Sequence, residues 1–129
     1  MKVHFADSRP ENADVIGFIL TKEKFADYKF PLEKSEMVKE TAKLARFEGN
    51  AGQSFILIAE EGGKLVRVVL LGVGSGAASD CLKAGGELLA KVQTSGAKHI
   101  ALHGDMVEAA NLVEAAYGAA LRNWRIDKY

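Results

Sequence analysis

The sequence predicts an α/β protein: a three-layer sandwich with a mixed sheet. Three observations carry this. Short apolar runs of strand length alternate with longer helical stretches, in the order β-β-α-β-β-α-β-α. One run, Leu65-Val66-Arg67-Val68-Val69-Leu70-Leu71, is almost continuously apolar, which fits a strand covered on both faces. That run and the one before it flank Glu61-Gly62-Gly63, a hairpin signal. The hairpin supplies the antiparallel part of the sheet.

The elements follow in order. Val3–Ala6 reads as a short strand, and Asp7 to Asn12, with Asp, Ser, Pro and Asn, as a turn. Val15–Leu20 is apolar enough to lie inside a sheet. Thr21–Phe30 reads as a polar connection, and Pro31 suits a helix start. A helix over 32–47 places Met37, Val38, Thr41, Leu44 and Ala45 on one stripe, and Gly49 stops it. Gln53–Glu60 and Lys64–Leu71 form the hairpin strands. After Gly72-Val73-Gly74-Ser75-Gly76 comes a helix over 78–94, with the stripe Cys81, Leu82, Gly85, Leu88, Leu89 and Val92. Ile100–His103 is the next strand. Asp105, with Glu108 three residues on, opens a last helix that buries Leu112, Val113, Ala116 and Tyr117.

The chain has 129 residues, nearly half of them hydrophobic, which suits one domain with its own core. Lys plus Arg and Asp plus Glu number 17 each. That balance argues against nucleic acid or an anionic membrane as a partner, since both need a basic excess. No window approaches the roughly 20 apolar residues that span a bilayer. With Cys81 as the sole cysteine, no intrachain disulfide can form, and a reducing, cytoplasmic setting is expected.

The candidate chemistry is sparse. Gly72, Gly74, Ser75 and Gly76 lie between a buried strand and a helix start, where backbone N–H groups can cradle an anion or nucleotide phosphate. The spacing matches neither a P-loop nor a dinucleotide fingerprint, and a tight strand-to-helix turn explains it as well. His99 and His103 have metal-like spacing, but on a strand they stand roughly 13 Å apart, too far to share one ion. Cys81, near a helix start, reads as a buried and inert thiol rather than a nucleophile. The acidic pairs Glu60-Glu61, Glu33 with Glu36, and Asp105 with Glu108 converge on no base. The last residues mix Arg122, Trp124, Arg125, Asp127 and Tyr129, a pattern expected of an interdomain contact. A small nucleic-acid patch is the other reading of the same tail.

Leu121-Arg122-Asn123-Trp124-Arg125-Ile126-Asp127-Lys128-Tyr129 resembles the domain junction of the leucyl (cytosol) aminopeptidases, peptidase family M17, which reads L-x-S-Y-R-F-D-x-Y. Phe47-Glu48-Gly49-Asn50-Ala51-Gly52 resembles the F-x-G-x-x-G turn of that family's N-terminal domain. Val68-Val69-Leu70-Leu71-Gly72-Val73-Gly74 is similar to its central strand and glycine turn. The resemblance implies a macro-like α/β domain over 1–121 and a linker over 122–129, leading toward an absent C-terminal catalytic domain. It implies a cytosolic, hexameric parent enzyme that removes N-terminal residues, leucine preferentially, with two divalent metals, zinc or manganese. The metal ligands and catalytic residues of that family lie in the C-terminal domain. No N-T-D-A-E-G-R-like segment occurs here, so no catalytic or metal role carries over to any residue of this chain.

Three hypotheses follow. The chain is a noncatalytic domain that assembles the oligomer and shields the active sites, with its own catalytic domain as partner. Alternatively, it is a free-standing macro-like module that binds ADP-ribose or another nucleotide at Gly72–Gly76. The third is a DNA-binding module using Arg122–Lys128: some members of the family bind DNA, but zero net charge disfavours it here.

Overall fold

A computed structural model describes residues 2–5, 13–92 and 99–103. The elements are β1 (Lys2–Phe5), β2 (Val15–Thr21), α1 (Lys22–Phe25), α2 (Ser35–Leu44), β3 (Ser54–Glu61), β4 (Lys64–Gly74), α3 (Ala78–Val92) and β5 (His99–His103). They form the expected α/β arrangement. One five-stranded sheet has the order β1-β5-β2-β4-β3. Among the described strands β1, β5, β2 and β4 run parallel, and β3 is antiparallel, hairpinned to β4.

Two apolar clusters sandwich the sheet. On one face α3 lays Cys81, Ala84, Leu88, Leu89 and Val92 onto Val15, Ile19, Val69, Leu71, Ile100 and Leu102. On the other, α1, α2 and their loops bring Phe25, Phe30, Val38, Ala42 and Phe47 onto Ile16, Phe18, Leu20, Val66, Val68 and Leu70. Residues of β2 and β4 therefore alternate between two buried faces. That explains their nearly unbroken apolar runs, because both faces of a central strand are covered. Asp14 ties the strands together at the foot of β2. Its N–H donates to the His99 carbonyl (2.9 Å), its carbonyl accepts from Arg67 N (3.1 Å), and its carboxylate accepts from His99 N (3.3 Å).

Four local expectations are corrected. β4 runs on to Gly74, so Gly72 and Gly74 belong to a strand rather than to a free loop. The supposed polar connection 21–30 contains α1, capped by Thr21 Oγ1, which accepts from Lys24 N (3.4 Å). It also delivers two buried rings, Phe25 and Phe30, to the core. The helix expected over 32–47 spans only Ser35–Leu44. Its buried residues are Ser35, Val38 and Ala42, whereas Met37 and Leu44 are 44% and 87% exposed. The sheet side thus favours small side chains that let the helix approach closely, and the larger apolar residues stand on the side away from the sheet. In α3, Ala84 replaces the half-buried Leu82 in the buried stripe. The helix expected after Asp105 lies outside the described residues, as does the boundary between 121 and 122.

Candidate functional site

The two internal segments that carried the family resemblance meet in space. The turn 47–53 closes over the end of β4: Gly72 N donates to the Gln53 carbonyl (2.8 Å), and Gly74 N donates to the Gly49 carbonyl (2.9 Å). Gly52 N returns a bond to the Gly72 carbonyl (3.3 Å). Gln53 holds the turn from inside. Its Oε1 accepts from Glu48 N (3.0 Å) and Asn50 N (3.1 Å), and its Nε2 donates to the Arg46 carbonyl (3.2 Å).

Glycine is required here for two separate reasons. Gly49 has φ +87°, and a Cβ there would come within 3.1 Å of the Thr21 carbonyl and the Lys22 backbone. At Gly72, a Cβ would lie 2.2 Å from the Asn50 carbonyl oxygen. The spacing of these glycines thus records a close crossing of two backbone segments. The amides expected to cradle a phosphate are engaged in that crossing: those of Gly72 and Gly74 as above, and that of Gly76 with the Val73 carbonyl (2.9 Å). Ser75 is exposed at the loop's outer tip.

Beside this junction lies a cleft of about 410 Å³, with Gly52, Gln53, Leu71 and Gly72 on one side and Asp80, Lys83 and Glu87 of α3 on the other. It has both carboxylates and an ammonium but no histidine. Cys81 faces the opposite way, into the core, and its Sγ donates to the Gly76 carbonyl (3.8 Å). Burial pushes the thiol pKa up, and the neighbouring Asp80 carboxylate adds to the rise. A raised thiol pKa means less thiolate at neutral pH, the opposite of an activated nucleophile. The native domain should therefore react with iodoacetamide at pH 8 at least about tenfold more slowly than the same chain in denaturant. Equal rates would show that the thiol is accessible. The same shift predicts a pH effect. The unfolded thiol ionises from about pH 8.5, while the folded thiol holds its proton to higher pH. This contribution to stability is complete below the unfolded pKa and is lost as pH rises above it.

His99 and His103 both lie on β5. His103 is buried and stacks on Phe18, with ring centroids 4.8 Å apart at 23°. Among the described residues no three His, Cys, Asp or Glu side chains converge as a metal site, and no helix is long and apolar enough to cross a membrane. Arg122, Trp124, Arg125, Asp127 and Tyr129 lie outside the described residues. Sequence reading missed the aromatic cluster of Phe18, Tyr28, Phe30 and His103. The spacing of Phe25, Tyr28 and Phe30 within an otherwise charged stretch was the available signal.

Comparison with known proteins agrees with this geometry. Residues 15–129 match the family described as "Cytosol aminopeptidase family, N-terminal domain". A probable cytosol aminopeptidase of Rhizobium etli (strain CIAT 652) is 30% identical, over 99% of this chain and 27% of that protein. One from Rhodopseudomonas palustris (strain BisB5) is 33% identical, over 71% of this chain and 20% of that protein. The chain thus spans roughly a quarter of the length of the curated relatives it matches. Among solved structures, a mutant tomato leucine aminopeptidase superposes with TM-score 0.70 at 21% identity, covering 95% of this chain and 28% of that one. At that identity the match speaks for the fold.

Proposed function

The chain belongs to the cytosol aminopeptidase family, as an N-terminal domain, and on that premise we propose that it is the noncatalytic part of a leucyl aminopeptidase. In this reading it packs on its own C-terminal catalytic domain through Arg122, Trp124, Arg125, Asp127 and Tyr129. It contributes to a homo-oligomer, a hexamer, and shields the active sites. The setting is the cytosol. The observation that carries the proposal is the match itself: it runs over 15–129 and is specific to the family's N-terminal domain, not its catalytic one.

Hydrolysis in the parent enzyme would use two divalent metals, zinc or manganese, as a source of activated water. The described residues of this chain do not fit that pair, since no set of three or more His, Cys, Asp or Glu side chains gathers anywhere among them. No step of the reaction is therefore assigned to them. The nucleotide reading of Gly72–Gly76 gains no observation in its favour, because the Gly72, Gly74 and Gly76 amides bond within the fold.

The expected result is that the pure 129-residue chain does not hydrolyse leucine p-nitroanilide, with or without added zinc or manganese. It should also bind the catalytic domain of a related aminopeptidase when the two are co-expressed, and alanine at Trp124 and Arg125 should weaken that binding. Metal-dependent turnover by the chain alone would overturn the noncatalytic assignment.

A further inference from the structure

The cleft of about 410 Å³ beside the glycine crossing has two held walls and an unusual set of charges. Its size falls within the roughly 300–1,000 Å³ of small-molecule sites. One wall is the turn 47–53, which the Gln53 amide braces from inside through Glu48 N, Asn50 N and the Arg46 carbonyl. The other is α3, fixed to the sheet by Cys81, Leu88 and Leu89. Leu71 and Ala84, both buried, add apolar surface to the lining.

α3 brings Asp80, Lys83 and Glu87 to this cleft. Lys83 follows Asp80 by three residues and precedes Glu87 by four, the spacings at which opposite charges on a helix meet. Neither pair forms. Glu87 turns to Lys91 instead, with Lys91 Nζ 3.6 Å from Glu87 Oε1. Among the described residues Asp80 and Lys83 take part in no ion pair. A half-buried carboxylate and an exposed ammonium thus stand one helical turn apart on the same wall. Their Cβ atoms are separated by roughly 5–6 Å on a regular helix.

We propose that this cleft binds a free α-amino acid with an apolar side chain. Asp80 would take its ammonium, Lys83 its carboxylate, and Leu71 with Ala84 its side chain. The proposal goes beyond the noncatalytic role and does not rest on it.

Charge complementarity selects this class. An α-amino acid carries both charges on one carbon, so it answers a carboxylate and an ammonium one turn apart at the same time. A nucleotide or phosphate would meet the Asp80 and Glu87 carboxylates with a single ammonium to offset them, and the Gly72, Gly74 and Gly76 amides are engaged within the fold. A divalent cation needs a gathered set of ligands, which does not occur among the described residues. A simple amine leaves Lys83 without a counter-charge, and a carboxylic acid leaves Asp80 without one. Both contacts are partly solvated, and such pairs are individually weak. The expected affinity is therefore millimolar and falls as salt is added.

The test is amide NMR of the isotope-labelled 129-residue chain titrated with leucine, with leucinamide and with isocaproate. Leucinamide lacks the carboxylate and isocaproate lacks the ammonium. Leucine is expected to shift the amides of Gly52, Gly72 and Lys83, and each analogue to bind about fivefold more weakly. Asp80→Asn and Lys83→Gln are each expected to weaken leucine by the same factor and to leave the rest of the spectrum native. The analogues test the same two contacts on the unaltered chain, so the outcome does not hang on how the variants fold. A chain that leucine does not shift, or shifts only away from the cleft, overturns the proposal. So does an analogue that binds as well as leucine, or a folded variant that binds leucine as the native chain does. None of these results touches the noncatalytic assignment, which the hydrolysis assay tests separately.

Discussion

Gly72→Ala is expected to cost the domain about 3 kcal/mol or more, through overpacking and lost backbone hydrogen bonds. The new Cβ would lie 2.2 Å from the Asn50 oxygen and 2.8 Å from the Gly49 carbonyl carbon. Both are backbone atoms, so no side-chain rotation can relieve the clash. The turn 47–53 must lift off the end of β4, and the bonds from Gly72 N to Gln53 and from Gly74 N to Gly49 then stretch or break. Gly72 has no positive φ, so conformational strain is not the cause; lack of space is. Gly52→Ala separates the two effects. Gly52 has φ +85°, and an added methyl there would meet nothing within 4 Å, so its substitution carries only the left-handed penalty of about 1–2 kcal/mol. Urea unfolding of the two variants checks this. If Gly72→Ala is no less stable than Gly52→Ala, the two backbones do not cross as closely as described.

The same crossing shows what the sequence could and could not disclose. The glycine-rich segment was visible as a strand-to-helix turn, and a phosphate cradle was a fair expectation from its composition. What was not visible is that the partner for its amides is another turn, the one at 47–53. Hydrogen bonds between distant segments leave no periodic mark. The strands were legible because burial on two faces forces continuous apolar runs in β2 and β4. Most of the buried face of α3 was legible because Cys81, Leu88, Leu89 and Val92 mark it; the small Ala84 was not.

The buried face of α2 was not legible. Ser35, Val38 and Ala42 are buried, while the larger Met37 and Leu44 are left outside. Hydrophobic size points to the wrong flank when a helix packs close to a sheet through small residues. The site residues proposed for the tail, from Arg122 to Tyr129, rest on their mix of charge and aromatics and on the family likeness.

Phe18→Ala is expected to be similarly costly, at about 3–5 kcal/mol. Phe18 is fully buried on the central strand β2, between β5 and β4. Its ring meets Phe30 edge-on at 4.9 Å, Tyr28 at 6.2 Å and the His103 imidazole in a stack at 4.8 Å. Truncation leaves a cavity whose walls cannot close readily, because they belong to different elements. β5 holds His103 in register opposite Phe18. The loop after α1 holds Tyr28 and Phe30, and Tyr28 is in turn anchored to α2 by Lys39. Each aromatic pair adds about 0.5–1.5 kcal/mol beyond its buried area, which places the loss toward the upper end of the range. Phe18→Leu keeps most of the volume and loses the ring contacts, so it should fall well short of the alanine variant. Thermal unfolding of the two variants measures that gap. If both lose the same stability, the filled volume at position 18 does not matter and the aromatic contacts alone account for the effect. A clear gap assigns the larger part to packing and the remainder to the aromatic cluster that joins β2, β5 and the loop after α1 across this face of the sheet.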